Sequence, residues 1–357
     1  MDDYLRDFYK DKKILITGAA GTVGAELGRQ LHHAGAGELR LMDNNETGMF
    51  FLMEQYRNNG AFCFLGDVRD RDKVEKLTNG VDIIFHCAAF KHVILSEYNP
   101  FDVVQTNIMG VENIIRAATL HKVKYVLFTS SDKAVNPTNV MGTSKLMGEK
   151  LMTAANAVMS NGKTVFASTR FGNVIGSRGS VVPLFMRQIR SGGPVTITDR
   201  QMTRFIMTVR EAAHMVLQSL TLARGGEVFV TKMPVVSIQD LAEVMIDILA
   251  PKYGYRPGNI EITDIGAKPG EKLYEELMSD EESHRSVELR EMYVITPAFK
   301  NIYNSIHYEY EGFVSGIIQK PYISSGEEPL GKDRLKTYLL ENRVFEEIDE
   351  SLRENRV

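Results

Sequence analysis

Short apolar runs rich in β-branched residues alternate with longer amphipathic stretches along the first half of the chain. The runs have the length of strands and read, in chain order, KKILITG, ELRLMD, AFCFLGD, DIIFHCA, KYVLFTSS and TVFASTRFGN. Apolar residues at helical spacing fill the gaps and predict helices over 23–34, 97–120 and 142–160. Strands that alternate with helices form parallel sheets covered on both faces. The pattern therefore predicts an α/β fold with a Rossmann-type, doubly wound parallel sheet.

The regular alternation weakens after Asn173, where glycine and proline become more frequent in RGSVVPLF, GGPVTITD and GAKPGEKLYEEL. Such loop-rich segments are typical of a region that builds a pocket. We expect residues 1–172 to form a nucleotide-binding domain and residues 173–331 to form mainly a smaller C-terminal substrate-binding lobe. Residues 332–357 are charged and amphipathic, which indicates a surface or subunit-contact helix. The strand-like EVFVTK at 227–232 is expected to return to the first sheet.

Composition and charge restrict the class of partner. The 357 residues are 43% hydrophobic and 25% charged, and the net charge of −4 gives no field for nucleic acid or an anionic membrane. The start, MDDYLRDFYK, has acidic residues where a signal peptide is basic, and no run approaches ~20 apolar residues. We therefore expect a cytoplasmic protein with a small-molecule ligand and no membrane insertion. Cys63 and Cys87 lie in strand-like runs, and no HExxH motif or zinc-spaced cysteine pair occurs, so neither a disulfide nor a metal is expected.

The segment ITGAAGTVG follows the first strand and opens the first helix. Glycines here allow a tight turn and let backbone N–H groups approach a pyrophosphate. The candidate cofactor-binding residues of this loop are Gly18, Gly21, Thr22, Val23 and Gly24. Asp43 ends the second strand 19 residues beyond Gly24, where a carboxylate can bind a ribose. Because Asn44, Asn45 and Glu46 follow it rather than a cation, NAD is favoured over NADP.

Further cofactor contacts are expected where later strands end. Asp67 and Val68, at the end of the third strand, are candidate adenine contacts, and Ala88 and Ala89, after the fourth, let backbone approach the cofactor. Ligands of doubly wound sheets bind at this carboxyl edge.

The fifth strand ends at Ser130 and Ser131, on the same edge of the sheet. Lys145 lies four residues after Met141 in a helical segment, so the two share one helix face. A lysine in this place is expected to hold the nicotinamide ribose. Met141 can pack but cannot transfer a proton, because a thioether is only a weak acceptor.

Several motifs occur in order over roughly residues 10 to 300: TGAAGTVGAEL, DVRD, FHCAAFKHVILSEYNP, TSSDKAVNPTNVMGTSKLMGE, TRFGNVIGSRGSVVPLF, MTRFIMT and KPGEKLYEEL. Together they resemble the nucleotide-sugar 4,6-dehydratases of the extended short-chain dehydrogenase class, in the branch of the UDP-N-acetylglucosamine 4,6-dehydratases. The wider class carries a tyrosine at position 141, and some members of this branch carry methionine instead. Membrane-attached relatives have transmembrane segments before the catalytic domain, and this chain resembles the free soluble form.

The resemblance implies a reaction in which NAD+ takes hydride from C4 of the hexose, water leaves across C5 and C6, and the hydride returns to C6. It implies that Lys133 is the base at C5 and Asp132 the acid at the C6 hydroxyl. A lysine base must be neutral, and an ionised Asp132 next to it opposes that, so Lys133 acts as a base only when Asp132 carries the proton. For removal of the C4 hydroxyl proton, Ser131, Asp132 through water, and Lys133 all stay open.

A diphosphate substrate needs cations outside the cofactor site, and the loops supply Arg178, Arg204, Arg256, Lys268 and Lys272. The resemblance adds Lys91 and His92 on the sugar side, Asn173 at the hexose, Ser180 and Val181 beside the nucleotide, and Glu271 with Lys272 at the far wall.

The resulting hypothesis is an NAD-dependent 4,6-dehydratase of UDP-N-acetylglucosamine for bacterial surface glycans or nonulosonic acids, acting as a homo-oligomer. A GDP-linked donor is the nearest alternative. A C4 epimerase or ketoreductase also moves hydride at C4, but such enzymes use the missing tyrosine and have no use for Asp132 and Lys133. A non-catalytic NAD-binding scaffold is the alternative outside the enzymes. The downstream pathway and the stereochemistry at C5 stay open.

Overall fold

All six of the apolar runs form strands in the computed structural model, which describes residues 2–57, 60–159, 164–177, 180–266, 271–299, 306–316, 318–346 and 348–349. β-Branched and aromatic residues favour this extended, buried conformation. The strands are β1 Lys13–Thr17, β2 Glu38–Asp43, β3 Ala61–Leu65, β4 Ile83–His86, β5 Tyr125–Thr129, β6 Val165–Arg170, β7 Asn173–Val174, β8 Val195–Ile197, β9 Thr203–Met207, β10 Val228–Thr231, β11 Val235–Ser237, β12 Ile262–Asp264, β13 Glu276–Met278, β14 Ser286–Leu289, β15 Met292–Ile295, β16 Phe313–Ser315 and β17 Tyr322–Ile323.

The helices fill the intervals between these strands. They are α1 Asp3–Tyr9, α2 Thr22–His33, α3 Glu46–Gln55, α4 Arg71–Thr78, α5 Val93–Tyr98, α6 Pro100–Val103, α7 Gly110–His121, α8 Val140–Ala154, α9 Val181–Arg190, α10 Val209–Leu222, α11 Ile238–Leu249, α12 Asp280–Ser283 and α13 Lys332–Glu341. Residues 350–357, at the end of the predicted C-terminal helix, lie outside the described residues.

Within the described residues, ten strands form the main sheet, in the order β16-β14-β15-β10-β6-β5-β4-β1-β2-β3. The strands from β10 to β3 are parallel, and β14, β15 and β16 add antiparallel pairs at the other edge. The order β3-β2-β1-β4-β5-β6 is that of a doubly wound sheet. Successive strands are added on one side of β1 up to β3 and then on its other side from β4 onwards. This confirms the predicted α/β Rossmann-type fold. β10 pairs with β6, where the sequence predicted a returning strand.

The helix predicted over 97–120 is interrupted. α5 ends at Tyr98, and Pro100 begins α6, because proline has no N–H group and suits the first turn of a helix. A π-helical turn, Val104–Met109, then joins α6 to α7. Such turns shift the side chains that follow them around the helix axis, and they occur often at functional sites.

By its contacts the chain divides into two units. The first comprises Met1–Arg170, Ala212–Lys232 and Leu277–Pro321, and the second comprises Phe171–Glu211, Met233–Glu276 and Tyr322–Val357. Leu277–Pro321, which the sequence placed in the second lobe, therefore belongs to the first unit through β14, β15 and β16. Each unit has its own hydrophobic core. The core of the first unit includes Leu15, Ile84, Ile114, Val126 and Phe166, and the core of the second includes Phe185, Ile206, Leu241, Met245 and Leu335.

Candidate active site

The loop between β1 and α2 is packed so closely that Gly18 and Gly24 have no room for a Cβ atom. Gly18 has a φ of 71°, and a Cβ atom there would lie 2.6 Å from the backbone nitrogen of Ala88. A Cβ atom at Gly24 would lie 2.2 Å from the carbonyl oxygen of Gly18. Gly21 is the N-cap residue of α2 and has no side chain that could accept from the N–H groups of the first turn. The loop therefore fits a pyrophosphate bound by backbone at a helix N-terminus.

Asp43, at the end of β2, is hydrogen-bonded to this loop. Its Oδ2 atom accepts from the Ala20 backbone N–H at 3.0 Å. Asp67, after the neighbouring β3, accepts from Asn44 Nδ2 at 3.1 Å and pairs with Arg69 at 2.7 Å. The hydrogen bonds from Arg69 lower the pKa of Asp67 to about 2. Two carboxylates thus lie at adjacent strand ends, where the sequence predicted the adenosine half of the cofactor.

Three predicted catalytic side chains meet in the turn that follows β5. Ser131 Oγ donates to Asp132 Oδ1 at 2.5 Å, and Lys133 Nζ lies 2.9 Å from Asp132 Oδ2 and 3.2 Å from Oδ1. The side chain of Asp132 is 3% exposed and that of Lys133 is 32% exposed. A carboxylate hydrogen-bonded to both a hydroxyl and an ammonium group is placed to exchange protons with each of them.

Helix α8 begins directly against this turn. Asn139 caps the helix, since its side chain accepts from the Gly142 N–H at 2.8 Å. A Cβ atom at Gly142 would lie 2.2 Å from the carbonyl oxygen of Lys133, so only glycine allows the helix and the turn to approach this closely. Met141 is 3% exposed and packs in the interior.

Lys145 lies one turn further along α8 and is buried. Its Nζ atom donates to the carbonyl oxygen of Thr129, the last residue of β5, at 2.9 Å, and lies 4.7 Å from the centre of the Phe128 ring. Burial lowers the pKa of Lys145 to about 8, while Cys87 and Glu149 act in the opposite direction. The ammonium is therefore fixed at the carboxyl edge of the sheet, where the sequence predicted a ribose contact.

Among the described residues, two bridges that the sequence analysis missed join α8 to the loop after β4 and to α5. Asn107, in the π-helical turn, accepts from the Phe90 N–H at 2.8 Å, and its Nδ2 atom donates to the Phe90 carbonyl at 3.0 Å and to Ser144 Oγ at 2.9 Å. Glu97 accepts from the Val140 N–H, the first of α8, at 2.7 Å. The interruption of the predicted helix by Pro100 was the signal in the sequence that could have indicated this arrangement.

The loop held by these bridges carries Lys91 and His92. Both are exposed, and His92 is the N-cap residue of α5. Partial burial of its ring, followed by the neighbouring Lys91, lowers the pKa of His92 below its usual value, so its ring is neutral at neutral pH. The pair thus offers a cation and a neutral imidazole close in sequence to Ala88 and Ala89.

In the second unit, Glu275 is the centre of the predicted substrate residues. Asn173 Nδ2 donates to both carboxylate oxygens of Glu275, at 3.1 and 3.2 Å. Arg204, which is 8% exposed, lies 3.4 Å from Glu275 and 3.6 Å from Glu271, and it also donates to the carbonyl oxygens of Thr203, Lys272 and Leu273. Arg204 therefore organises the loop that ends at Glu275, and its binding of a diphosphate stays a prediction.

The other predicted substrate residues of this unit lie at helix starts and on the surface. Ser180 is the N-cap residue of α9, which begins at Val181, and its Oγ atom is buried with no hydrogen-bond partner among the described residues. Lys272 pairs with Glu276 at 2.9 Å, and Arg256 is exposed. Arg178 and Lys268 lie outside the described residues.

The structure thus brings the predicted residues of the first unit to one edge of one sheet, after the ends of β1 to β5. They are Gly18, Gly21, Thr22, Val23, Gly24, Asp43, Asp67, Val68, Ala88, Ala89, Lys91, His92, Ser131, Asp132, Lys133, Met141 and Lys145. The parts of the chain that the structure describes contain no group of three or more His, Cys, Asp or Glu arranged to hold a metal. Within the same ranges, no helix has the length and apolar character needed to cross a membrane.

Comparison with known proteins finds one family profile and relatives whose names differ in activity. The sequence profile of the polysaccharide biosynthesis protein family matches residues 14–297. The chain is 50% identical over 293 residues to an uncharacterized membrane protein of Methanocaldococcus jannaschii. That alignment covers 82% of this chain and 88% of the relative. It is 37% identical over 294 residues to a UDP-N-acetylglucosamine 4,6-dehydratase (inverting) of Campylobacter jejuni, with coverages of 82% and 85%. It is also 37% identical over 336 residues to a UDP-glucose 4-epimerase of Rickettsia massiliae, with coverages of 93% and 96%.

Solved structures agree with the fold. The X-ray structure of Pen from Bacillus thuringiensis superimposes with a TM-score of 0.87 at 40% identity, covering 94% of this chain and 99% of that one. A dTDP-glucose 4,6-dehydratase of Streptomyces venezuelae, solved with NAD bound, superimposes with a TM-score of 0.66 at 21% identity over 73% of this chain and 86% of that one, a likeness that concerns the fold alone.

Proposed function

Because the chain belongs to the polysaccharide biosynthesis protein family, whose relatives include nucleotide-sugar dehydratases and epimerases, we propose that it is an NAD-dependent 4,6-dehydratase of UDP-N-acetylglucosamine. The observation that carries the proposal is the contact between Asp132 and Lys133 at the carboxyl end of β5. Dehydration across C5 and C6 needs an acid and a base beyond those of hydride transfer, and this pair supplies both. The glycine loop, Asp43 and Lys145 fit the dinucleotide.

NAD+ held by the glycine loop, Asp43 and Lys145 would supply a hydride acceptor for C4 of the hexose and a hydride donor for C6. The first proton to move is that of the C4 hydroxyl, and we propose that Ser131 accepts it. Its hydroxyl donates to Asp132, so its oxygen can accept the C4 proton while its own proton passes to the carboxylate. This leaves Asp132 protonated, which is the state that protonation of the C6 hydroxyl requires.

The same proton movement prepares Lys133. An ammonium cannot remove the C5 proton. In water the pKa of lysine is roughly 6.5 units above that of aspartate, so the proton stays on the lysine. In a site closed by substrate, loss of water disfavours the ammonium, and the proton on Asp132 removes the anion that keeps Lys133 charged, so Lys133 releases its own proton to solvent and becomes neutral. Lys133 then takes the C5 proton, Asp132 gives its proton to the departing hydroxyl as water forms, and Lys133 returns a proton to C5 when hydride reaches C6.

Purified protein with NAD+ and UDP-N-acetylglucosamine tests the proposal by mass spectrometry of the sugar nucleotide. The expected product has lost one water and is a 4-keto-6-deoxy sugar. Asp132→Asn and Lys133→Met should each abolish it while NAD+ still binds, and Glu112→Gln, which breaks an exposed helix pair with Arg116, is the control that should stay active. GDP-N-acetylglucosamine is tested in parallel to decide the nucleotide.

A C4 epimerase is the second candidate, because the Rickettsia massiliae relative that aligns over 93% of this chain carries that name. An epimerase would return a product of unchanged mass from UDP-N-acetylglucosamine or UDP-glucose. That outcome would replace the dehydratase proposal. No product from any of these donors, with NAD+ bound, would support the non-catalytic scaffold instead.

A further inference from the structure

Beneath helix α8 lies a buried network of three charges. Arg170, the last residue of β6, is 1% exposed and uses all five of its N–H donors. Two bind Glu149 at 2.7 and 2.6 Å, two bind Glu282 at 2.8 Å each, and one binds the Leu277 carbonyl oxygen at 3.1 Å. Glu149 is 2% exposed and Glu282 is 8% exposed. Two carboxylates share one guanidinium, so the network carries a net charge of −1 in the interior.

The network reaches the proposed active site through α8. Glu149 follows Lys145 by four residues, so the two side chains lie on the same face of the helix. Lys145 is itself 6% exposed and bound to the Thr129 carbonyl oxygen. Four buried charges, on Lys145, Glu149, Arg170 and Glu282, therefore sum to zero.

Among the described residues, the titratable groups that interact with Lys145 lie at the end of β4 and on α8. His86, at the end of β4, stays neutral because burial, and then Lys145, lower its pKa to about 3. Cys87 follows it, and burial raises its pKa to about 12, so the thiol is also neutral at pH 7. Glu149 on α8 accepts from the guanidinium of Arg170 on both of its carboxylate oxygens.

We propose that Glu149 is a positioning residue for Lys145, that Arg170 fixes its carboxylate, and that Glu282 adds a second carboxylate to the network, so that Lys145 stays charged and aimed at the sheet edge. The second carboxylate matters because an Arg170–Glu149 pair alone would be neutral and would give Lys145 little net attraction. Glu282 is held in turn by the Ser279 N–H at 3.0 Å, in the capping box of α12. The proposal rests on the role of Lys145 in the proposed function.

A purely structural network makes a different prediction. Buried ion-pair triads can be replaced by apolar residues of similar volume with little loss of stability, whereas removal of one partner leaves an unpaired charge. The triple variant Glu149→Met, Arg170→Met, Glu282→Gln removes the three charges together and keeps a glutamine for the capping box. If the network only supports the fold, Lys145 in this variant should titrate as in the wild type.

The test is a pH titration of the Lys145 side chain by carbon-13 NMR of lysine-labelled protein without cofactor or sugar, with the resonance assigned from Lys145→Arg. The wild type is expected to titrate near pH 8. The triple variant should titrate lower by about one pH unit or more, since a nearby opposite charge has been lost. Glu149→Gln is the second variant, and carries the comparison if the triple variant does not fold.

Two controls make the result decisive. Glu112→Gln, an exposed carboxylate change on α7, should leave the Lys145 titration unchanged. An unchanged titration in a folded network variant, judged by circular dichroism and thermal unfolding, would overturn the proposal. Because the titration needs no turnover, it is independent of which reaction the protein catalyses, and loss of the dehydratase proposal would not alter it.

Discussion

Replacement of Gly142 by alanine perturbs the proposed acid–base pair without touching its side chains. The added methyl group would lie 2.2 Å from the carbonyl oxygen of Lys133, and such contacts are not found below 3.0 Å. Gly142 is the third residue of α8, and its N–H group is fixed by the side chain of Asn139. The turn that carries Lys133 must therefore move away from the helix.

The size of this movement follows from the contact distance. The oxygen must retreat from 2.2 Å to between 3.0 and 3.4 Å, a shift of about 0.8 to 1.2 Å carried by the residue that holds the C5 base. A displacement of about 1 Å in a catalytic group costs on the order of 100-fold in rate. The fold should survive, because overpacking costs about 1–3 kcal/mol and alanine regains about 1 kcal/mol of helix propensity.

The assay compares kcat for ketone formation and the thermal unfolding of Gly142→Ala with those of the wild type. Gly258→Ala is the matched control, since no atom lies within 4 Å of a Cβ there, and it should keep the full rate. We expect Gly142→Ala to lose about 100-fold in kcat with NAD+ affinity retained. A rate within about threefold of the wild type would refute the argument that the approach of helix and turn positions Lys133.

Met141→Leu, of similar volume, should keep most of the rate of ketone formation, because the buried thioether only packs; a loss of more than about tenfold would contradict this. Burial lowers the pKa of Lys145 from 10.5 to about 8. The unfolded state therefore binds more protons than the folded state between those pH values, so the free energy of unfolding of the wild type should rise with pH there by roughly 3 kcal/mol relative to that of Lys145→Met. Urea unfolding at a series of pH values measures this, and a difference between the two proteins that does not change with pH would refute it. Asn107→Leu leaves the N–H and carbonyl groups of Phe90 unpaired and should lower the free energy of unfolding in urea by about 2–4 kcal/mol. It should also raise the KM for the sugar nucleotide, and an unchanged KM would refute a role of Asn107 in holding the loop that carries Lys91 and His92.

Features written in consecutive residues were predictable. The glycine loop, the strand end at Asp43 and the turn from Ser131 to Lys133 each depend on a few neighbouring residues, whose backbone requirements and chemistry can be read without knowledge of the fold. The alternation of strands and helices gave the sheet for the same reason, since each period is local. The helix over 97–120 was predicted wrongly in detail, because apolar spacing does not show where Pro100 interrupts it.

Contacts between distant residues were decided by the tertiary structure alone. Arg170 meets Glu149 and Glu282 across 21 and 112 residues, and Asn107 meets Phe90 and Ser144 across 17 and 37. Charge and amide groups at such separations have many potential partners, and only the order of the strands and the face presented by each helix select one. The sequence by itself therefore determined the fold class and the residues of the candidate chemistry, whereas the packing of α8 on the sheet determined which groups hold those residues in place.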